Sequence, residues 1–183
     1  MGAIFRLLLV SGVLLGALAA PAAAQSGFAL KGHYIYNRSV VEAGQRLPAA
    51  DGFGLGAEFV LPFGLGVGVT GYTSGSVSEF SDASNVVGLA EANYFLKLPL
   101  LPIAPYVGVH AGLGTYTRED LVFSDRPRLR DTHTHVGYQF GVRFQPIRVI
   151  GFDAQYRRVS DWAAGEQDVR FERGQVLLGV TLF

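Results

Sequence analysis

Residues 51–61 alternate without a break. Phe53, Leu55, Ala57, Phe59 and Leu61 fall on one side of an extended backbone; Gly52, Gly54, Gly56, Glu58 and Val60 fall on the other. Successive side chains of a strand point to opposite faces, so this run carries one apolar face and one glycine-rich, polar face. The pattern returns from Leu65, where Leu65, Val67, Val69 and Gly71 oppose Gly66, Gly68, Thr70 and Tyr72. From Pro105, Val107, Val109, Ala111 and Leu113 oppose Tyr106, Gly108, His110, Gly112 and Gly114. From Thr134, Val136, Tyr138, Phe140, Val142 and Phe144 oppose His135, Gly137, Gln139, Gly141 and Arg143. Segments 28–36, 86–96, 150–157 and 175–182 follow it less cleanly, with Val87, Leu89 and Phe95 placing apolar groups on the polar face. Eight strands are predicted.

The connections between them are of two kinds. Those after the second, fourth and sixth strands are short and proline-bearing: 62–64, 97–104 and 145–148. Those after the first, third, fifth and seventh are long and polar: 37–50, 75–84, 117–131 and 159–168. Alternation of short and long puts all short connections at one end, the arrangement of an up-and-down transmembrane barrel.

The N-terminus reads as an export signal. Arg6 precedes an uncharged run rich in Leu, Val and Ala, Pro21 breaks it, and Ala22-Ala23-Ala24-Gln25 offers a small-x-small cleavage site. Residues 1–24 are assigned to the signal peptide, with cleavage after Ala24, and 25–183 to one barrel domain. The chain is 49% hydrophobic and only 16% charged, which invites a helical membrane reading. Beyond the signal that reading fails: the best apolar stretch, 94–112, is interrupted by Lys97, Pro99, Pro102 and Pro105. Zero formal net charge gives no reason to expect nucleic acid as a partner, and the absence of cysteine excludes thiolate chemistry and cysteine-ligated zinc.

Alternation alone does not say which face is inside. A soluble barrel would bury its apolar face; a membrane barrel would turn it to lipid. Three features favour lipid. The charged face is glycine-rich, as a narrow lumen requires. Aromatic residues collect near the ends of the apolar face, with Phe28, Phe59, Phe144 and Phe152 at the short-turn end and Tyr34, Tyr36, Phe53, Tyr138 and Tyr156 at the other, as interfacial girdles do. A signal with no retained anchor delivers the chain to the compartment where such barrels assemble.

The signal segment, stretches such as Pro105-Tyr106-Val107-Gly108-Val109 and Gly141-Val142-Arg143-Phe144, and the ending Gly179-Val180-Thr181-Leu182-Phe183 together resemble the small eight-stranded outer-membrane β-barrel proteins of Gram-negative bacteria, the OmpA-like and OmpX-like group. The resemblance covers the whole mature chain. It implies an outer-membrane location, a lipid and lipopolysaccharide environment, and Phe183 as the residue read by the outer-membrane assembly machinery. Phe183 falls one residue out of phase with Val180 and Leu182, a departure from the family's usual ending. No peptidoglycan-binding domain is expected.

The lumen of such a barrel is expected to hold a polar network of Lys31, Glu58, Glu91, Arg143 and Asp153, with Asn93, Gln139 and Gln155 meeting the remaining donors, His110 beside Glu91 and Arg157 higher on the strand of Asp153. Charges in a lumen must pair. Glu58 is expected to face Lys31, and Arg143 to face Asp153. The third long connection carries Arg118, Arg126, Arg128 and Arg130 among four carboxylates, a solvated loop that could grip lipopolysaccharide phosphates or a host surface. Gly66-Val67-Gly68-Val69-Thr70-Gly71 matches a dinucleotide fingerprint but lies inside a strand, and His133 with His135 lacks a third metal ligand nearby in sequence, so neither a cofactor nor a metal is expected. No catalytic constellation is found, and a lipid-A deacylase's His-x-Ser-Asn is missing. The expected role is structural or interactive at the cell surface, with a plugged lumen. A narrow porin-like channel, and behind it a lipid-A-modifying enzyme, are the alternatives.

Overall fold

A computed structural model describes residues 27–38, 41–42, 45–46, 51–77, 81–98, 101–120, 129–163 and 170–183. The described residues form ten strands: β1 (Gly27–Arg38), β2 (Val41–Glu42), β3 (Gln45–Arg46), β4 (Gly52–Val60), β5 (Leu65–Val77), β6 (Ser81–Phe95), β7 (Ile103–Asp120), β8 (Leu129–Ile147), β9 (Ile150–Ala163) and β10 (Arg170–Leu182). Eight of them form one closed barrel in the order β1-β10-β9-β8-β7-β6-β5-β4, all neighbours antiparallel, while β2 and β3 pair only with each other. Closure is made by β1 against β4, with Lys31 opposite Gly56, and by β1 against β10, with Lys31 opposite Thr181. No helix among the described residues is long and apolar enough to cross a membrane; the crossing elements are strands.

The two faces separate as the alternation requires. Leu55 is 76% exposed and Phe53 68%, whereas Glu58 between Ala57 and Phe59 is 1% exposed. The exterior carries Leu30, Val67, Val69, Val107, Val109, Leu113, Phe140, Leu178 and Val180, all open to the surroundings. The interior carries the charges. This is the inverse of a soluble barrel, and it is stable only where the surroundings are apolar.

The expected strand ends need correction. Strands β7 and β8 remain paired up to Arg118 opposite Leu129, and β5 and β6 up to Val77 opposite Asp82. Segments taken as long connections are therefore partly strand, and only residues 78–80 separate β5 from β6. In these extensions the apolar alternation fades while backbone pairing continues. Arg118 and Arg130 belong to β7 and β8 rather than to a loop. At the other end β8 runs on to Ile147 through a register shift after Phe144, so the turn is Arg148-Val149 rather than 145–148. The hairpin between β4 and β5 follows its sequence: Pro62 presets the turn, the amide of Gly64 donates to the Leu61 carbonyl at 2.9 Å, and Gly64 takes a left-handed φ of 97°.

Glycines set the bore. A Cβ on Gly68 would lie 2.6 Å from the Ala57 carbonyl oxygen, and one on Gly141 would lie 2.8 Å from the Tyr106 ring. These inward positions have no room for a side chain, so neighbours on adjacent strands fill the space instead. The expected signal segment, with its expected cleavage after Ala24, lies outside the described residues.

The candidate functional site: the ion-paired lumen

Each inward charge sits on a strand whose alternation points it at the barrel axis. Lys31 comes from β1, Glu58 from β4, Glu91 from β6, Arg143 from β8, and Asp153 and Arg157 from β9. None is more than 5% exposed. Three cations and three carboxylates thus share one water-poor interior.

Their bonds form a circuit. Lys31 Nζ donates to Glu91 Oε2 at 2.8 Å and lies 3.7 Å from Glu58 Oε1. Arg157 Nη2 donates to the other Glu91 oxygen at 2.7 Å, and its Nε donates to Gln139 Oε1 at 3.1 Å. Gln139 Nε2 donates to Asn93 Oδ1 at 2.6 Å, and Asn93 Nδ2 to Glu58 Oε1 at 2.8 Å. The path from Glu58 through Asn93, Gln139, Arg157, Glu91 and Lys31 back to Glu58 is closed. Arg143 extends it: Nη2 donates to Glu58 Oε2 at 2.7 Å, and Nε donates to both oxygens of Asp153 at 3.1 Å. The Thr181 hydroxyl donates to Asp153.

The register puts Glu91 opposite His110 and Arg143 opposite Asp153. Five contacts in the circuit skip at least one strand: Asn93–Glu58, Gln139–Asn93, Arg157–Glu91, Lys31–Glu91 and Arg143–Glu58. Lys31 reaches Glu91 across β4 and β5, and Arg143 reaches Glu58 on the far wall. These cross-lumen bonds were missed from sequence, and so was the Arg157–Glu91 pair. Matching heights on adjacent strands finds only nearest neighbours. His110 stacks on His135 with ring centroids 5.3 Å apart and makes no hydrogen bond through its ring nitrogens. Gln155 is buried, and its Nε2 donates to no partner.

Apolar clusters lie on both sides of the circuit. Val60, Phe95, Ala104 and Tyr106 close the short-turn end. Ile35, Tyr72, Val87, Leu89 and Leu177 fill the lumen toward the long-loop end. The imperfect alternation of β1, β6 and β10 was their signal in the sequence. Phe183, out of phase with the lipid face, has its ring 5.6 Å from the Arg143 guanidinium, which the Phe95 ring covers at 4.6 Å. Of the loop arginines, Arg126 and Arg128 lie outside the described residues, as do the side chains of Arg118 and Arg130. Among the described residues no group of three metal-ligating side chains is placed to hold an ion.

The outer membrane protein β-barrel domain family matches residues 7–182. The chain belongs to this family. As an outer-membrane barrel it is similar in fold to several solved structures. Neisserial surface protein A (NspA) matches with a TM-score of 0.65 at 19% identity, covering 86% of this chain and 97% of that one. The attachment invasion locus protein Ail of Yersinia pestis matches with a TM-score of 0.60 at 16% identity, covering 86% and 99%. The N-terminal β-barrel domain of Pseudomonas aeruginosa OprF gives 0.53 at 15% identity, covering 86% and 98%. At these identities the likeness is one of fold. No curated protein matches the chain in sequence. The family places this barrel in a Gram-negative outer membrane, in contact with lipid and lipopolysaccharide.

Breaking a buried pair strands its partner charge and costs about 3–5 kcal/mol. Glu58→Ala removes the acceptor shared by Arg143 and Asn93 and unseats Lys31. The folded form of this variant is expected to unfold at clearly lower temperature on a semi-native gel. Heat resistance equal to that of the wild type would contradict a circuit centred on Glu58.

Proposed function

We propose that this outer-membrane barrel is a sealed structural and surface-interaction protein that passes no solutes at neutral pH. The observation that carries the reading is the circuit itself. It joins opposite walls of the lumen through Lys31–Glu91 and Arg143–Glu58 and is flanked by apolar side chains above and below. An ion entering this space has to break a bonded pair. The reading is non-catalytic, because the six charged groups of the circuit are bonded to one another. Protein reconstituted in planar bilayers near neutral pH is expected to stay silent. Steady, reproducible conductance steps would make it a narrow channel instead.

Export is proposed to use residues 1–24, with cleavage after Ala24. Phe183 is proposed as the residue that the assembly machinery reads before the ring settles over Arg143. Work at the cell surface then falls to the long-loop end. The four arginines there, Arg118, Arg126, Arg128 and Arg130, are proposed to contact phosphate or sulfate groups of lipopolysaccharide or of a host surface. One fold neighbour, Ail of Yersinia pestis, was solved in complex with the heparin analogue sucrose octasulfate. Replacing Arg126, Arg128 and Arg130 by glutamate is expected to weaken lipopolysaccharide and heparin binding by about tenfold or more, since each guanidinium supplies charge-assisted hydrogen bonds to an anionic group and each glutamate repels it. Unchanged binding of both would end this assignment.

A further inference from the structure

All four histidines of the sequence face the lumen and are buried: His33, His110, His133 and His135. Each stands opposite a glycine on a neighbouring strand. His33 faces Gly179 and Gly54, His110 faces Gly137, His133 faces Gly114, and His135 faces Gly112. The glycines hold room for the rings; a Cβ on Gly137 would lie 2.9 Å from the His110 imidazole. The barrel wall is thus shaped around imidazoles that the ion-paired circuit does not use.

Two of them flank the centre of the circuit. His33 on β1 has Lys31 on its own strand, Asp153 and Arg157 on β9, and Glu91 on β6 as its charged neighbours. Its partners on β10 and β4 are the uncharged Gly179 and Gly54. His110 on β7 has Glu91 on β6, Arg157 on β9, and His135 and Gln139 on β8. The carboxylates in these sets are occupied. Glu91 accepts from Lys31 and Arg157, and Asp153 accepts from Arg143 and Thr181. Three cations already balance three carboxylates in the circuit. Neutral imidazoles fit this balance. A proton on His33 adds a positive charge to a set that already holds Lys31 and Arg157, and one on His110 adds it beside Arg157, with no unused carboxylate among the described neighbours. His135 differs, because Asp161 stands across from it in the backbone register.

We propose that His33 and His110 form an acid-operated release for the Arg157–Glu91 pair. Protonated, each imidazole repels Arg157 and competes with it for Glu91. The circuit then opens at its centre, where Lys31 and Arg157 both depend on Glu91, while the Arg143–Asp153 pair nearer the short turns holds. A charged imidazole in the closed lumen has neither water nor a spare carboxylate, so acid favours any opened state in which water reaches the rings. The release rests on the sealed lumen proposed above and adds the trigger that unseals it.

The test is the full barrel in detergent and in planar bilayers, taken from about pH 7.5 to about pH 5. This window spans the imidazole range and stays above the ordinary carboxylate range near 4. The wild type is expected to unfold in urea about tenfold faster at the acid end, and conductance bursts are expected to appear only there. The variant His33→Gln/His110→Gln, which keeps polar side chains of similar reach, is expected to show less than about a twofold pH effect and no bursts. Wild-type acid sensitivity that persists in the double variant would overturn the proposal and assign the effect to other groups. A flat wild-type profile would overturn it as well. Should the double variant fail to fold, the single variant His110→Gln decides: a pH effect clearly smaller than that of the wild type supports the proposal, and an equal one contradicts it. Conductance already present at pH 7.5 would instead refute the sealed lumen, separating the two failures.

Discussion

A lipid surrounding cannot hydrogen-bond to peptide groups, so every N–H and C=O at membrane depth has to be paired within the protein. For a chain of strands this forces closure. Here closure is β1 against β4 and β1 against β10. Once eight strands close, the bore is narrow, and that narrowness dictates what the inner face holds. Glycine stands where a neighbour's side chain already fills the space, as at Gly137 beneath His110 and Gly141 beneath Tyr106. Charges on opposite walls come within bonding distance, so Lys31 meets Glu91 and Arg143 meets Glu58.

The ion-paired layer is a requirement of the fold more than a source of net stability. Taking two charges out of water costs about as much as their attraction returns. What the layer supplies is register. Shifting a strand by one residue exchanges its faces. A slip in β4 would turn Glu58 into lipid and Leu55 into the lumen, and a slip in β8 would do the same to Arg143 and Phe144. Charge in the hydrocarbon is costly enough to exclude such pairings. The equal count of cations and carboxylates within the circuit serves the same end, because an odd charge there has no water to turn to. The Arg143 guanidinium meets this by three routes at once: Glu58, Asp153, and the Phe95 and Phe183 rings.

Alternation made the fold legible. Phe53, Leu55 and Phe59 against Gly54, Gly56 and Glu58 already assign β4 and both its faces, and the same holds for β7 and β8. Strand ends were less legible, since the extensions of β5 to β8 beyond the alternating runs need backbone pairing but no apolar face. Within the site, the inward charges could be named from their phase, and Arg143 beside Asp153 followed from adjacent strands. The cross-lumen bonds could not, because they depend on the tilt and shear of the closed barrel. Phe183 shows the limit in one residue: its phase correctly removed it from the lipid face, but its place over Arg143 needed the folded chain.

The central claim is that the apolar face meets lipid and the charged face meets the axis. The chain has no cysteine, so single cysteines report without background. A lipid-soluble quencher applied to fluorophores placed one at a time along β7 reads the orientation directly. Strong quenching at Val107, Val109 and Ala111 with weak quenching at Tyr106 and His110 is the predicted result. Quenching in the opposite phase, or without any period of two, would contradict the inverted barrel and with it the ion-paired lumen.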